Sequence, residues 1–310
     1  MNRKVTSTIL AWLNSGKLPH PINHTFITLI PRVKNPVLVS EYRTISLCNV
    51  LYKIFSKVLA NRLKKFMPEL ITKHQSAFAK SRLISNNVLV AFETLHCMKN
   101  HDSGQTSFMA LKLEMSKVYD RVELNYLQKL MEKMGFCSRW ISLIMERVCT
   151  VSYSILVNGD PKGLINPTQG IRRGDPLSPF LFLLCMEGLH GLITKAARAK
   201  EINGFSISKR GPKLTHLFFA DDSLFFCKAN SQECGNVLKI LAEYEEVSGQ
   251  KINKEKTSLF FSKSTKANVK EEIKNVLGVN EIRSYERYLG LPSLVGRGKK
   301  ASFSYIKDNV

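Results

Sequence analysis

The stretch Leu217-Phe-Phe-Ala-Asp-Asp-Ser-Leu-Phe-Phe226 decides the fold. Two adjacent aspartates interrupt an apolar run that otherwise reads as a buried β-hairpin. Like charges side by side in such surroundings repel, so both stay ionised only when cations compensate them. Aspartate is also a good turn residue, and a solvent-exposed turn at Asp221 and Asp222 is the competing reading. A second acid-bearing strand lies upstream, in Leu111-Lys-Leu-Glu-Met-Ser-Lys-Val-Tyr-Asp120. Side chains alternate faces along a strand, so Glu114 points away from Leu111 and Leu113. With the two strands as neighbours, Glu114 and Asp221 can share divalent cations. Hard oxygen ligands suit Mg²⁺, and two ions roughly 3.5–4 Å apart clamp a phosphoryl transfer.

A third element, Gln169-Gly-Ile-Arg-Arg-Gly-Asp-Pro-Leu-Ser-Pro179, leads into an apolar helix. Gly170 and Gly174 permit close backbone approach, Arg172 and Arg173 supply phosphate-pairing charge, and Pro176 suits an early helical position. A ligand-free loop capped by Asp175 is the alternative. The whole chain of 310 residues carries 46 Lys+Arg against 25 Asp+Glu, a formal charge of +21. That imbalance points to a polyanionic partner, nucleic acid ahead of acidic membrane. At 44% apolar and 23% charged, the composition excludes bulk disorder. Seven cysteines without a C-x-x-C pair argue against a disulfide framework or zinc knuckle, and for a reducing compartment. The N-terminal apolar run is too short for a signal peptide. The longest apolar run, Phe180–Met186, falls far short of the ~20 residues that span a bilayer. A soluble intracellular protein without membrane partners is expected, acting as a nucleotidyl transferase on nucleic acid.

The remaining pattern is mixed. Helices are expected over 5–15, 49–70, 85–99, 126–134, 139–149, 176–197 and 231–247. Strands are expected over 25–30, 107–115, 151–157, 214–226 and 256–262, with Asn158-Gly159 suiting a type I′ hairpin turn. In the second helix Val50, Leu51, Ile54, Phe55, Val58, Leu59 and Leu63 form an apolar stripe, with Asn49 as N-cap. Helices behind a few antiparallel strands indicate an α+β domain.

Nine phrases carry a family resemblance: FITLIPRVKNP (26–36), YRTISLCNVLYKIFSKVLANRL (42–63), QSAF (75–78), RLISNNVLVAFE (82–93), LKLEMSKVYDRVE (111–123), RRGDPLSPFLF (172–182), FADDSLFF (219–226), INKEKT (252–257) and YLGLPSLVGR (288–297). In order and wording the chain resembles the reverse transcriptases of LINE-type, non-LTR retrotransposons, above all the plant-type branch. The resemblance implies a right-hand polymerase fold. Residues 25–262 would form fingers and palm, with an antiparallel palm sheet backed by helices. They would follow an N-terminal extension (1–24) and precede a primer-grip region and the start of a thumb (263–310). It implies an RNA-directed DNA polymerase with an RNA template, a DNA primer, deoxynucleoside triphosphates and two Mg²⁺ ions, working in nucleus and cytoplasm. Carried over, Asp221 would bind metal together with Glu114, and Asp222 would be its acidic companion. Tyr119 would sit beneath the incoming sugar, Arg43 and Arg32 would contact the triphosphate, and Lys256 would protonate the leaving pyrophosphate. YLGLPS would begin the grip on the primer.

Departures from the family pattern fall on the chemistry. Glu114 stands where the family has Asp, Val118 where it has Ala, Arg173 where it has Gln, Thr44 where it has Pro, Ser81 where it has Gly, and Asn86 where it has Asp. The extra methylene of Glu114 moves the carboxylate by ~1.5 Å, and a displacement near 1 Å can cost on the order of 10²-fold in rate. A partly decayed copy with impaired catalysis is therefore expected, its thumb incomplete because the sequence stops within a starting helix. The alternative is a catalytically dead nucleic-acid-binding remnant of the same fold. Oligomeric state is not legible.

Overall fold

The computed structural model describes residues 3–79, 81–101, 106–208, 210–281, 287–289 and 291–292. Most of the expected primer-grip phrase and the last expected helical start, 302–310, lie outside the described residues. In chain order come helix α1 (Arg3–Ser15), the single turn α2 (His20–Asn23), strands β1 (His24–Pro31) and β2 (Tyr42–Cys48), and helices α3 (Val50–Leu70) and α4 (Ile84–Lys99). Strand β3 (Phe108–Glu114) precedes helices α5 (Leu124–Lys133) and α6 (Ser138–Cys149), strands β4 (Ser152–Val157) and β5 (Asp160–Ile165), and helix α7 (Ser178–Arg198). Strands β6 (His216–Phe219) and β7 (Asp222–Lys228) are followed by helix α8 (Ser231–Ser248), strand β8 (Ser258–Phe261) and helix α9 (Ala267–Leu277). Three two-residue strands close the description: β9 (Asn280–Glu281), β10 (Arg287–Tyr288) and β11 (Leu291–Pro292).

The described residues divide into two compact units that interleave along the chain. One draws on Met1–Ile71, Lys117–Gly188 and Val247–Gln250, the other on Thr72–Ser116, Leu189–Glu246 and Lys251–Val310.

The first unit holds a four-stranded sheet in the order β2-β1-β4-β5. The ribbon β1–β2 is antiparallel from Thr25↔Cys48 to Pro31↔Tyr42, and β1 pairs parallel with β4. Hydrophobic patterning hides β2 because its alternation runs backwards. Ser46 and Cys48 are buried, while Ile45 and Leu47 face solvent. Asn49 caps α3 as expected, its side-chain oxygen accepting from Leu51 N at 2.8 Å. The buried stripe of α3 differs from the expected one. It runs through Tyr52, Phe55, Ser56, Leu59, Ala60, Leu63 and Met67, and Val50 is 71% exposed.

A buried polar network accounts for that rotation. Asp175 accepts from the Tyr52 hydroxyl at 2.7 Å, from Ser56 Oγ, and from Arg147 Nη2 at 3.5 Å. It also takes the free backbone N–H of Leu177 at 3.2 Å, just ahead of α7. Arg147 is only 1% exposed, and its guanidinium lies over the rings of Tyr52 and Phe55. Arg172, expected beside a phosphate, is buried instead. It stacks on the Tyr52 ring at 4.1 Å and donates to Asn23 O at 3.0 Å and to Asn23 Oδ1. A polar side chain on α3 is thus a core residue wherever it meets this network.

The second unit holds a five-stranded sheet in the order β6-β7-β3-β8-β9, antiparallel except for the β8–β9 pair. Ala110, Leu224, Phe226 and Phe260 cover one face and pack against Ala91, Leu95 and Met98 of α4, with Phe205, Leu217 and Tyr288. Helix α9 was not anticipated from the sequence. Among the described residues α7 is the one helix long and apolar enough to cross a membrane by length and composition, which the seven-residue run did not suggest. Its apolar side chains serve the core: Leu181 to Met186, Leu189 and Ile193 are each at most 1% exposed.

Removing one partner of a buried charged network leaves the others unpaired and costs about 3–5 kcal/mol. Asp175→Ala is therefore expected to lower the urea midpoint of unfolding by that much stability. An unchanged midpoint would contradict a structural role for this aspartate.

Candidate active site

The acidic hairpin is built from the backbone outward. The β6–β7 register ends at Phe219↔Asp222, so Ala220 and Asp221 make a two-residue turn. Such turns need a left-handed residue, and Ala220 takes that place at φ 52°. The buried Gln75 clamps it. Its Oε1 accepts from Ala220 N at 3.2 Å and from Ala77 N at 2.9 Å. The flanking backbone is stitched to β6 by Phe218 N→His74 O at 2.8 Å and Ser76 N→Phe218 O at 3.1 Å. In the sequence Gln75 stands out only as the first letter of QSAF. A buried amide beside a strained turn marks it as the support of that turn.

Glu114 arrives by register. Strand β3 pairs antiparallel with β7 from Phe108↔Lys228 to Glu114↔Asp222, so the two carboxylates are direct cross-strand neighbours on one face. The same face is apolar at Ala110, Leu224 and Phe226, is charged at Lys112, Glu114 and Asp222, and carries Lys228 at its opposite end. Beyond β3 the chain is tied to the INKEKT segment by Asn253 N→Glu114 O and Ser116 N→Lys251 O, both 2.8 Å. This places Lys256 Nζ 2.5 Å from Glu114 Oε1, in a pair whose side chains are 59% and 29% exposed. At that exposure the pair contributes little stability by itself.

Crowding shows in the acidities. Burial raises the pKa of Asp222 to about 6, repulsion from Asp221 and Glu114 adds to the rise, and Lys112 and Lys256 oppose it. Asp221 is also raised, mainly by burial and then by Glu114, against its own backbone N–H and Lys256. Asp221 and Asp222, both pushed towards the neutral form, stand with Glu114 as a hard-oxygen donor set, which suits a divalent cation.

The other expected residues belong to the first unit. Gly170, at φ 94°, lies where an added Cβ would meet the Asp120 carbonyl oxygen at 2.9 Å. Its N–H donates to Val122 O at 2.8 Å, and Ile171 N donates to Tyr119 O at 2.7 Å. That stitching sets Arg173 against Asp120 in a two-pronged pair at 3.1 and 2.7 Å. The Tyr119 ring lies 5.7 Å from that of Phe182. Arg43 on β2 and Arg32, the residue after β1, are both exposed. By strand alternation Arg43 shares a face with Phe26, Ile30, Ile45 and Leu47. In the second unit Ser81 sits at φ 66°, a region that favours glycine.

A family model described as reverse transcriptase (RNA-dependent DNA polymerase) matches residues 32–291. A Drosophila melanogaster protein, the retrovirus-related Pol polyprotein from type-2 retrotransposable element R2DM, is 24% identical over 89% of the chain. The transposon TX1 uncharacterized 149 kDa protein of Xenopus laevis is 25% identical over 78%. The chain spans only 26% and 18% of these two relatives. Among solved structures, telomerase from Candida tropicalis superposes with a TM-score of 0.60 at 13% identity, covering 99% of this chain and 51% of that one. At that identity the likeness shows a shared fold.

A carboxyl whose folded pKa lies above its unfolded value binds extra protons in the native state, so stability falls as pH rises through that window. For Asp222 the window runs from 3.8 to about 6. Asp222→Asn is expected to stabilise the metal-free chain at pH 8, on the order of 1 kcal/mol after solvent screening. The gain should vanish below pH 4. Thermal melts across pH check this, and a gain that is constant with pH would contradict it.

Proposed function

Because the chain belongs to the reverse transcriptase family, we propose that its carboxylate site holds two Mg²⁺ ions and extends a DNA primer on an RNA template with deoxynucleoside triphosphates. The observation that carries this reading is the Glu114↔Asp222 register with Asp221 in the adjoining turn. When bound, such ions lower the pKa of an attacking hydroxyl and neutralise charge on the phosphates in flight. Asp221 and Glu114 supply the ligand oxygens, and Asp222 is their acidic companion. Lys256 holds Glu114 while metal is absent and is then free to give a proton to departing pyrophosphate. Tyr119 limits room at the sugar 2′ position. Arg43 and Arg32 pair with the triphosphate, and the apolar ribbon face beside them stacks on a base. Arg173 is already engaged by Asp120, which makes it a positioning residue for the segment after Tyr119. The setting proposed is intracellular, in nucleus and cytoplasm.

A second reading has its own observation. Glu114 is one methylene longer than the family's aspartate and is already paired with Lys256 at 2.5 Å. A chain that binds template and primer but polymerises slowly would combine both features.

Single-turnover primer extension with Mg²⁺ separates the two. Glu114→Asp is expected to raise the rate on the order of 10²-fold, about 2.7 kcal/mol of barrier. Asp221→Asn should abolish extension in either background. Extension that survives Asp221→Asn would overturn the polymerase site, and parent activity equal to Glu114→Asp would show that glutamate serves as well. With a formal charge of +21, binding of an RNA–DNA duplex should weaken steeply as salt rises, since neutralised phosphates release counterions. A flat response would argue against an extended basic surface.

A further inference from the structure

Three histidines converge in the second unit, away from the carboxylates. His74 precedes the Gln75 clamp, His190 lies on α7, and His216 opens β6. One ring nitrogen from each lies within 4.8 Å of one from each of the others. His190 Nδ1 and His216 Nε2 are 2.9 Å apart, and the His74 ring stacks on that of His216 at 4.6 Å between centroids. His216 is 1% exposed, whereas His74 and His190 are half-buried, which leaves a way in from solvent.

The outer nitrogens are equally organised. Thr72 Oγ1 meets His74 Nδ1 at 3.0 Å, Thr215 Oγ1 meets His216 Nδ1 at 2.9 Å, and Thr194 Oγ1 approaches His190 Nε2 at 3.4 Å. A hydroxyl at the far nitrogen of a metal-binding imidazole fixes the tautomer and turns the near nitrogen's lone pair inward. Hydroxyls donate as well as accept, so the same threonines serve whichever ring carries the inward proton in the free protein. Moving that proton to the outer nitrogen leaves three neutral donors without loss of a proton. Burial and mutual proximity favour the neutral form in any case: His190 is held down to about 4, and His74 and His216 also lie below the ordinary histidine range.

We propose that His74, His190 and His216 form a zinc-class metal site that clasps the start of β6 to the Gln75 segment and to α7. Three imidazoles with a water in the fourth position suit a borderline-soft ion rather than Mg²⁺. Tetrahedral Zn–N bonds of about 2.0–2.1 Å need nitrogens roughly 3.3 Å apart. The His190–His216 pair is already near that spacing, and rotation of the half-buried His74 ring closes the rest. The clasp lies five residues upstream of Asp221 and shares its strap, so a bound ion would stiffen the acidic hairpin from behind. It is independent of the polymerase reading.

Zn²⁺ titration of the full chain against a chromophoric chelator at pH 7.5 tests this. One tight equivalent is expected, retained in Asp221→Asn and in Asp222→Asn. Thr194→Val should weaken it about 10–100-fold, and His74→Ala or His190→Ala by more than that. These two rings are not core residues, and a melt of each variant checks that it remains folded. Co²⁺ in place of Zn²⁺ should give the visible absorption of a tetrahedral site in the parent and lose it in His74→Ala and His190→Ala. His96→Ala, which disrupts the exposed Glu93, His96 and Cys97 group on α4, should leave binding intact. Absence of a tight equivalent, or binding that follows His96 instead of His74 and His190, would overturn the site.

Discussion

Three carboxylates that repel one another are held together by the β3–β7 ladder. Its register sets Glu114 beside Asp222, and the two-residue turn adds Asp221. Nothing in the local sequence favours that crowding, and the pKa of Asp222, raised to about 6 by burial first and by its acidic neighbours second, shows its cost. The structure meets the cost by support from behind. The apolar half of the same sheet face packs on α4, Gln75 fixes the left-handed Ala220, and backbone bonds from the INKEKT segment hold the end of β3. Strain stored at such a turn persists only where the surroundings over-determine it.

In the first unit the motif letters divide between scaffold and site in a way their chemistry alone does not announce. Arg172 reads as a phosphate ligand, yet it is spent in a buried network with Tyr52 and Asn23, while Asp175, the expected loop cap, takes Leu177 N and also anchors Tyr52, Ser56 and Arg147. Gly170 is required by the Asp120 carbonyl that crosses it at 2.9 Å from any Cβ. Arg173, one residue beyond the buried guanidinium, reaches a half-exposed aspartate. A charge counted as available in a sequence is thus available only if no buried partner claims it.

What could be read in advance follows the same division. Long helices, the Asn158-Gly159 hairpin and the Asn49 cap were legible because period, turn chemistry and capping are local, whereas the pairing of the two acidic strands entered only as a condition, from their charge. Strand β2 was not, since its buried face carries Ser46 and Cys48 while Ile45 and Leu47 point outward. The α3 stripe was misaligned for the same reason: Tyr52 and Ser56 are interior because Asp175 is. The clamp by Gln75 and the histidine cluster depend on residues more than a hundred positions apart, and no spacing rule reaches that far.

Ser81 at φ 66° holds a conformation that favours glycine, and the Glu114 carboxylate stands one methylene further out than an aspartate's would. The site nevertheless keeps Glu114 and Asp222 on one face with Asp221 in the adjoining turn, and cation binding there should displace the proton that burial and the neighbouring acids hold on Asp222. The most direct measurement is calorimetric titration of Mn²⁺ into the chain at pH 6 and pH 8, in buffers of differing ionisation enthalpy. Release of a substantial fraction of a proton at pH 6, absent at pH 8 and absent in Asp222→Asn, is the expected result. Binding without proton release at pH 6, or release unchanged in Asp222→Asn, would contradict a single coupled carboxylate site.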